Sequence, residues 1–398
     1  MSLQSNKRSQ TKSSSARKKD IYKKSKYYQE KRQKLLIATG IGIFVLVFIL
    51  ILAGIRGCSN YMSSRQAAAK KTVSMNASKD NSQKASSDSQ NTDSVSLTLS
   101  VVGDCTLGTD ETFDYDTSLN AYYENYGADY FLQNVKDIFS TDDLTIANFE
   151  GTLTDSDERE DKTFAFKAPA SYASILTGGS VEAVNTANNH SHDYGEQSYT
   201  DTLTALDNAG IIHFGYDDTA VMDIKGVKVG LVGIYELKDH LGREQQLKDN
   251  IAKVKADGAE LVIVIFHWGN ESETVPDTNQ MTLGRLAIDE GADLVCGHHP
   301  HVLQGIEYTE DGPIVYSLGD FWFNDETKYT GLLNLEITSE GLKQMSFTPC
   351  EQKDSQTQYL NNAESQRALF DHLQKISPNI TIDDTGVITE LKDVDAES

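Results

Sequence analysis

The sequence predicts an α/β fold, a layered β-sandwich flanked by helices and preceded by one transmembrane helix. Two observations predict the sandwich. From residue 97 onward, short apolar runs alternate with segments whose apolar residues recur at helical spacing. Some neighbouring runs, such as 220–224 and 227–234, are separated only by Lys225-Gly226, a turn that makes them an antiparallel hairpin. A third observation predicts the membrane helix. Residues 35–55 carry no charge and are rich in Ile, Leu, Val and Phe, long enough to cross a hydrocarbon core of about 30 Å.

That apolar run exceeds the roughly 7 to 15 residues usual in a cleaved signal peptide. A lipoprotein signal ending at Cys58 is set aside because Arg56 interrupts it. Residues 1–34 hold twelve Lys or Arg against Asp20 and Glu30, and such a basic tail is retained in the cytoplasm. The protein is therefore expected in the cell membrane as a single-pass chain, with its N-terminus cytoplasmic and its C-terminal domain extracytoplasmic. The tail's net +10, taken from the whole-chain −23, leaves −33 for the remainder. So acidic an exterior disfavours nucleic acid as a partner. Four cysteines are too few for a disulfide framework. Cys105 and Cys296 read as core residues at strand ends, with a bridge between them as the alternative.

Residues 56–94 are mostly Ser, Ala, Lys, Asn, Gln and Asp, too polar to offset chain entropy by burial, and are expected to form a disordered linker. The folded domain is expected over 95–350. It opens with the alternating Leu97, Leu99 and Val101. A helix over 130–139, a strand over 144–149 and a helix over 198–208 ended by Gly210 follow. After the hairpin come a helix over 246–256, a strand over 261–266, a helix over 280–290 and a strand over 294–296. Two strand pairs close the domain, 305–308 with 314–317 and 332–337 with 343–347. Residues 351–398 are expected to supply one helix, 363–376, and an acidic tail.

The polar residues at the ends of these strands carry the chemistry. Gly297-His298-His299-Pro300-His301 follows the run 294–296. Neutral imidazoles ligate Zn, Mn and Fe, so a strand emptying into a histidine cluster is a candidate metal site. His299 and His301 are two apart, and on a segment held extended by Pro300 both point to one side. Asp104, Asn148 with Glu150, Asn189 with His190, and His267 follow four other predicted strands, 99–102, 144–147, 181–184 and 261–266. Open α/β sheets bind at the carboxyl ends of their strands. Residues 188–195 place His190, His192, Asp193 and two asparagines within eight positions. An asparagine oxygen can ligate a metal, and the adjacent His190 can donate a proton or a hydrogen bond to developing charge. Glu271 lies close enough in sequence to His267 to orient it. Each group has a plain structural alternative, namely a turn at Gly103-Asp104, an Asx-turn before the helix at 198, and a core histidine at 267.

In order, Gly103-Asp104, Asn148-Phe149-Glu150, Asn188-Asn189-His190 with Asp193-Tyr194-Gly195, His267-Trp268-Gly269 with Glu271, Gly291-Ala292-Asp293, His299-Pro300-His301 and Tyr316-Ser317-Leu318-Gly319 resemble the CapA/PgsA family over roughly residues 97–325. That family is associated with bacterial poly-γ-glutamate capsule biosynthesis, and its fold is similar to the calcineurin-like metallophosphoesterases. The resemblance implies a metallophosphoesterase-like domain at 95–350. It places Asp104, Glu150, Asn189, His267, His299 and His301 around one or two divalent metal ions, Mn, Zn or Fe, with Asn148 and Glu271 in support. His190, with Asp193, would be the catalytic pair in hydrolysis of a phosphoester. Lys167 falls where the family often carries a basic residue before proline, and would meet an anionic substrate.

The sequence departs from that superfamily at Cys105 and Thr106, which follow Asp104 where phosphoesterases have Asp-x-His. Asp320 stands where Tyr-Ser-Leu-Gly-Asn is more usual. The implied partners are an anionic cell-surface polymer, the membrane and other membrane subunits of a polymer synthase. The −33 exterior would repel a polyanion at long range, so local cations would be needed to bind one. Two other readings remain open: a non-catalytic scaffold or polymer-binding subunit, and a hydrolase of peptide or γ-glutamyl bonds.

Overall fold

The computed structural model describes residues 96–323, 327–338 and 341–391. The expected cytoplasmic tail, membrane span and linker lie outside these residues. Among the described residues no helix is long and apolar enough to cross a membrane. The described residues form eighteen strands: β1 Ser96–Thr106, β2 Leu144–Glu150, β3 Thr152–Leu153, β4 Lys167–Ala168, β5 Ala183–Asn185, β6 Ile212–Phe214, β7 Ala220–Ile224, β8 Val227–Tyr235, β9 Leu261–His267, β10 Leu294–His298, β11 Ile306–Tyr308, β12 Pro313–Val315, β13 Asp320–Trp322, β14 Lys328–Thr338, β15 Gly341–Lys353, β16 Gln356–Tyr359, β17 Ile380–Ile382 and β18 Val387–Glu390. One sheet runs β17-β18-β15-β14-β1-β2-β5-β6, with β13 beside β1 and β16 beside β15. A second runs β11-β12-β10-β9-β8-β7.

The alternation of side chains along each strand decides how the sheets stack. On β9, Leu261, Ile263 and Ile265 join Leu97, Leu99 and Val101 of β1 in a core shared by the two sheets. Val262, Val264 and Phe266 face the other way, onto the helices Glu244–Ala256 and Thr278–Asp289. The outer face of the larger sheet is covered by helices that include Ser174–Gly179 and Gly195–Ala209. The result is helix, sheet, sheet, helix, an α/β sandwich, and β9 is apolar at all its first six positions because both its faces are covered.

Parallel pairing sets the direction of the strand ends. β1, β2, β5 and β6 run parallel in one sheet, and β8, β9, β10 and β12 in the other. The two sheets deliver their carboxyl ends to one place, since the His299 N–H donates to Asp104 Oδ2 at 3.1 Å.

Two expectations are corrected. The helix expected over 130–139 is two short pieces, Ala128–Tyr130 and Lys136–Phe139, with non-helical Val135 (φ −122°) capping the second. A domain end at 350 falls inside β15, and the segment beyond it is no appendage. β17 and β18 extend the sheet, and Leu369, Phe370 and Leu373 of the helix Ala363–Lys375 are buried in the shared core.

Candidate metal centre

Asp104 lies fully buried two residues before the end of β1, and two contacts hold it. Asn148 Nδ2 donates to its Oδ1 at 2.8 Å, and the His299 N–H donates to Oδ2. Asn148 is itself fixed by Asn185 of β5, whose Nδ2 donates to Asn148 Oδ1 at 2.7 Å. Asn148 Nδ2 also lies 3.2 Å from His267 Nδ1, and His267 Nε2 lies 2.6 Å from Asn189 Oδ1. An amide donor on Nδ1 and an amide oxygen at Nε2 assign the proton to Nε2. Moved to Nδ1, the same proton would leave the neutral ring with its Nε2 lone pair beside Asn189 Oδ1, two donor atoms for a cation. Burial holds the His267 imidazole well below its ordinary range, so it is neutral, as a metal ligand must be.

Glu150 is the clearest sign of an absent cation. It is fully buried and neither carboxylate oxygen has a hydrogen-bond partner. Its Oε1 is 3.7 Å from His190 Nε2 and 4.0 Å from His267 Nε2. Buried carboxylates are normally paired or bound to a metal. Donor atoms of Asp104, Glu150 and His301 lie within 4.8 Å of one another, and so do those of Glu271, His299 and His301. Carboxylate oxygens beside imidazole nitrogens suit a divalent ion of the Zn, Mn or Fe kind. The residues present therefore fit a divalent cation.

The charges of the cluster follow from burial and from one ion pair. Burial raises Asp104 to about 6. His299 is brought down to about 3, by burial first and then by His301. Burial also opposes charge on His301, but the Asp320 carboxylate, 2.6 Å from its Nδ1, drives it up to about 10. Asp320 Oδ2 in turn accepts from Lys328 Nζ at 2.7 Å. A cation taking His301 as ligand must displace a proton, so binding weakens as pH falls.

His190 faces the cleft from the other side. Asn188 Oδ1 accepts the His190 N–H at 2.9 Å, an Asx-turn that sets the ring. Asp193 Oδ2 lies 2.7 Å from Nδ1, and Asp193 Oδ1 accepts from Lys162 Nζ at 2.6 Å. Asp193 assigns the proton to Nδ1, leaving the Nε2 lone pair toward Glu150. Burial lowers the imidazole, against the pull of Asp193, so Nε2 is an acceptor at neutral pH. A cleft of about 570 Å³ opens over His190, Glu271, His301, Phe166, Phe323 and Lys328.

The profile of the bacterial capsule synthesis protein family matches residues 98–325. The chain belongs to that family. Among curated relatives, a capsule biosynthesis protein CapA from Bacillus anthracis is 26% identical over 70% of this chain and 73% of its own length. A PGA biosynthesis protein CapA from Bacillus subtilis is 29% identical over 64% of this chain and 71% of its own. A crystal structure of a hypothetical protein from Thermus thermophilus overlays at a TM-score of 0.42 with 12% identity, over 64% of this chain and 99% of that one.

This capsule synthesis family member brings Asp104, Asn148, Glu150, Asn189, His190, Asp193, His267, His299 and His301 to one edge. Three sequence expectations change. Lys167 does not line the cleft: its Nζ binds Ser156 O at 2.8 Å and Asp157 Oδ1 at 3.0 Å, over the Tyr194 ring. Glu271 does not orient His267, whose nitrogens face Asn148 and Asn189, and instead its carboxylate groups with His299 and His301. Residues 299–301 are not extended, since His299 and His301 have φ of 94° and 58°. The two imidazoles converge, with ring centroids 5.7 Å apart, through a tight turn rather than strand alternation. Cys105 and Cys296 are buried free thiols, with no bridge between them.

Sequence reasoning missed Asn185, Lys162 and Lys328 as members. Asn185 carried the same signal as Asn148, an amide ending an apolar strand. The two lysines lie on a loop and a strand start with no periodic cue. It also missed Asp110, which fastens one cleft wall. Asp110 accepts from the Thr112 N–H and hydroxyl at 2.8 and 2.6 Å, from the Ala165 N–H at 2.6 Å and from Arg159 at 2.9 Å. Burial opposes ionisation there, yet these donors outweigh it and bring the carboxyl down to about 2. A depressed carboxyl stabilises above its unfolded value near 4 and loses that stability as pH falls through about 2. Asp110→Asn is expected to cost about 2 kcal/mol at neutral pH and to converge on the parent near pH 2, as urea melts at the two pH values will read.

Proposed function

We propose that this protein serves the assembly of an anionic bacterial capsule polymer of the poly-glutamate kind. It does so from the outer side of the membrane, anchored by residues 35–55, and it hydrolyses a phosphoester in the cleft over Glu150 and His190. The observation that carries the catalytic part is the buried, unpartnered Glu150 among neutral imidazoles, which a divalent cation satisfies. The capsule part rests on membership of the family and on its two CapA relatives. The metallophosphoesterase type of fold is supported by the helix-flanked pair of sheets with a ligand set at the carboxyl ends of their strands.

Asp104, Glu150, Asn189, His267, His299 and His301 would hold the cation, which supplies Lewis acidity toward a phosphoryl oxygen. The chain's own residues do the rest. Asp193 fixes the His190 tautomer, and His190 Nε2 takes up and returns a proton beside Glu150. Lys162 neutralises the buried Asp193 and, through 2.7 Å to Asn189 O, holds the 189–193 turn. Phe166, with its ring 4.4 Å from that of His190, shields this pair from water. Hydrolysis of bis(p-nitrophenyl) phosphate by the full-length chain with added Mn is expected, and His190→Ala should lower it about 10²- to 10⁴-fold.

The second reading is a non-catalytic subunit of the polymer synthase. The feature favouring it is the absence of an imidazole after Asp104. Cys105 is buried with its thiol on Gly103 O, and Thr106 Oγ1 is buried without a partner. Polymer production in cells separates the two. A doubly substituted Asn189→Ala, His190→Ala chain that supports full production, together with no hydrolysis above buffer in Mn, Zn or Fe, leaves only the scaffold.

A further inference from the structure

We infer that Glu271 is a metal ligand, closing an outer cation seat with His299 and His301 and supplying the donor that Cys105 and Thr106 do not. This deepens the proposed function and rests on its cation reading. The Glu271 loop is fastened to the histidine turn at two points. The Ser272 N–H donates to Pro300 O at 2.8 Å, with Ser272 in a left-handed conformation (φ 65°). On the far side, Glu273 O accepts from Gln304 Nε2 at 2.8 Å, and Gln304 Oε1 accepts from Gln280 at 2.7 Å. These bonds bring donor atoms of Glu271, His299 and His301 within 4.8 Å of one another.

Two further observations point to a ligand. His299 is 6% exposed, and its Nδ1 has no hydrogen-bond partner. Glu271 is exposed, lines the cleft, and sits where an ion can reach it from solvent. The count of donor atoms then divides the centre. Asp320 occupies Nδ1 of His301, leaving one imidazole nitrogen, and one nitrogen serves one ion. If His301 closes the outer seat, the inner seat rests on Asp104, Glu150, Asn189 and His267, which have their own carboxylates, amide oxygen and imidazole. Two imidazoles and a carboxylate make the outer seat a place for Mn, Zn or Fe rather than Ca or Mg.

Mn titration of the full-length chain tests this, by calorimetry for stoichiometry and by electron paramagnetic resonance for coupling between paired ions. The parent is expected to bind two Mn per chain with an exchange-coupled signal. Glu271→Gln should lose the second ion or weaken it by about 10-fold or more, and lose the coupled signal. Glu271 is exposed, and circular dichroism will show both chains folded alike. A Glu271→Gln chain that binds two ions with the parent's signal overturns the inference. A parent that binds one ion, kept by Glu271→Gln and lost by Asp104→Ala, overturns the outer seat alone. A parent that binds none overturns the cation reading beneath it.

Discussion

Glu150→Gln is expected to weaken cation binding by about 100-fold or more and to flatten the pH dependence of the metal-free protein's stability. Glu150 ends β2 with no exposed surface and no partner for either oxygen. Its two nearest imidazoles, on His190 and His267, are held neutral by burial. Burial first, and then the neighbouring Asp104, push the Glu150 carboxyl well above its ordinary range. A raised folded value means the native state holds the proton more tightly than the unfolded chain. Stability is therefore full below the unfolded value, about 4.3, and is lost as pH rises toward the folded one. The amide introduced by Glu150→Gln has no such proton to lose, so that share of the slope disappears, while Asp104, raised to about 6, keeps its own. A divalent cation reverses the sign because it favours the ionised form, so added Mn should restore more stability the higher the pH. Calorimetric melts of the full chain between about pH 5 and pH 8, in chelator and in Mn, read both effects. A parent whose melting point in chelator stays level across that range, or a variant that binds Mn as tightly as the parent, would sink the assignment.

How much of this was legible in the sequence depends on whether the cause was local. The strands that feed the site were legible because β9 and β10 are apolar at nearly every position, and the hairpin β7-β8 because Lys225-Gly226 suits a tight turn at positive φ. Asp104, Asn148, Glu150, Asn189 and His267 were legible for the same reason, as polar residues that end apolar runs. The histidine turn was only half legible. His299 and His301 converge, but with both at positive φ, a conformation no spacing rule for an extended segment anticipates. Glu271 and Lys167 were misplaced because their partners come from afar in the fold. The Glu271 loop is pinned to Pro300, and Lys167 turns away to Ser156 and Asp157. The boundary at 350 failed for the same kind of reason. β17 and β18 are short and pair with each other, and β18 joins the sheet by pairing with β15, a strand more than thirty positions earlier, beyond the helix Ala363–Lys375 that packs on the shared core. Asp320 shows the limit most clearly. In sequence it is a one-residue departure from a family pattern, and in the structure it holds His301 and Lys328 together.

Gly103→Ala is expected to cost about 3 kcal/mol or more and to leave the centre unassembled. A Cβ at 103 would lie 2.0 Å from Gly319 O and 3.2 Å from Leu318 O. Both obstacles are backbone atoms, so no rotamer change relieves the clash. Nor is the Gly319 carbonyl free to move, since it accepts the Asp104 N–H at 2.9 Å and its own residue sits at φ 68°. This close approach is what lays β13 beside β1, in the register that pairs Asp104 with Asp320. Forcing the strands apart shifts Asp320, and with it the His301 imidazole that Asp320 holds. Stability and cation binding should therefore fall together, whereas Glu150→Gln should remove binding from a chain that still folds. Gly178→Ala is the matching control. Its Cβ would meet only the Asp129 carboxylate oxygen at 2.9 Å, the end of a flexible side chain, and alanine favours the helix Ser174–Gly179. Urea melts and Mn titrations of the three chains separate the cases. If Gly103→Ala unfolds within about 1 kcal/mol of the parent and binds Mn as the parent does, the contact with Gly319 is not what assembles the site.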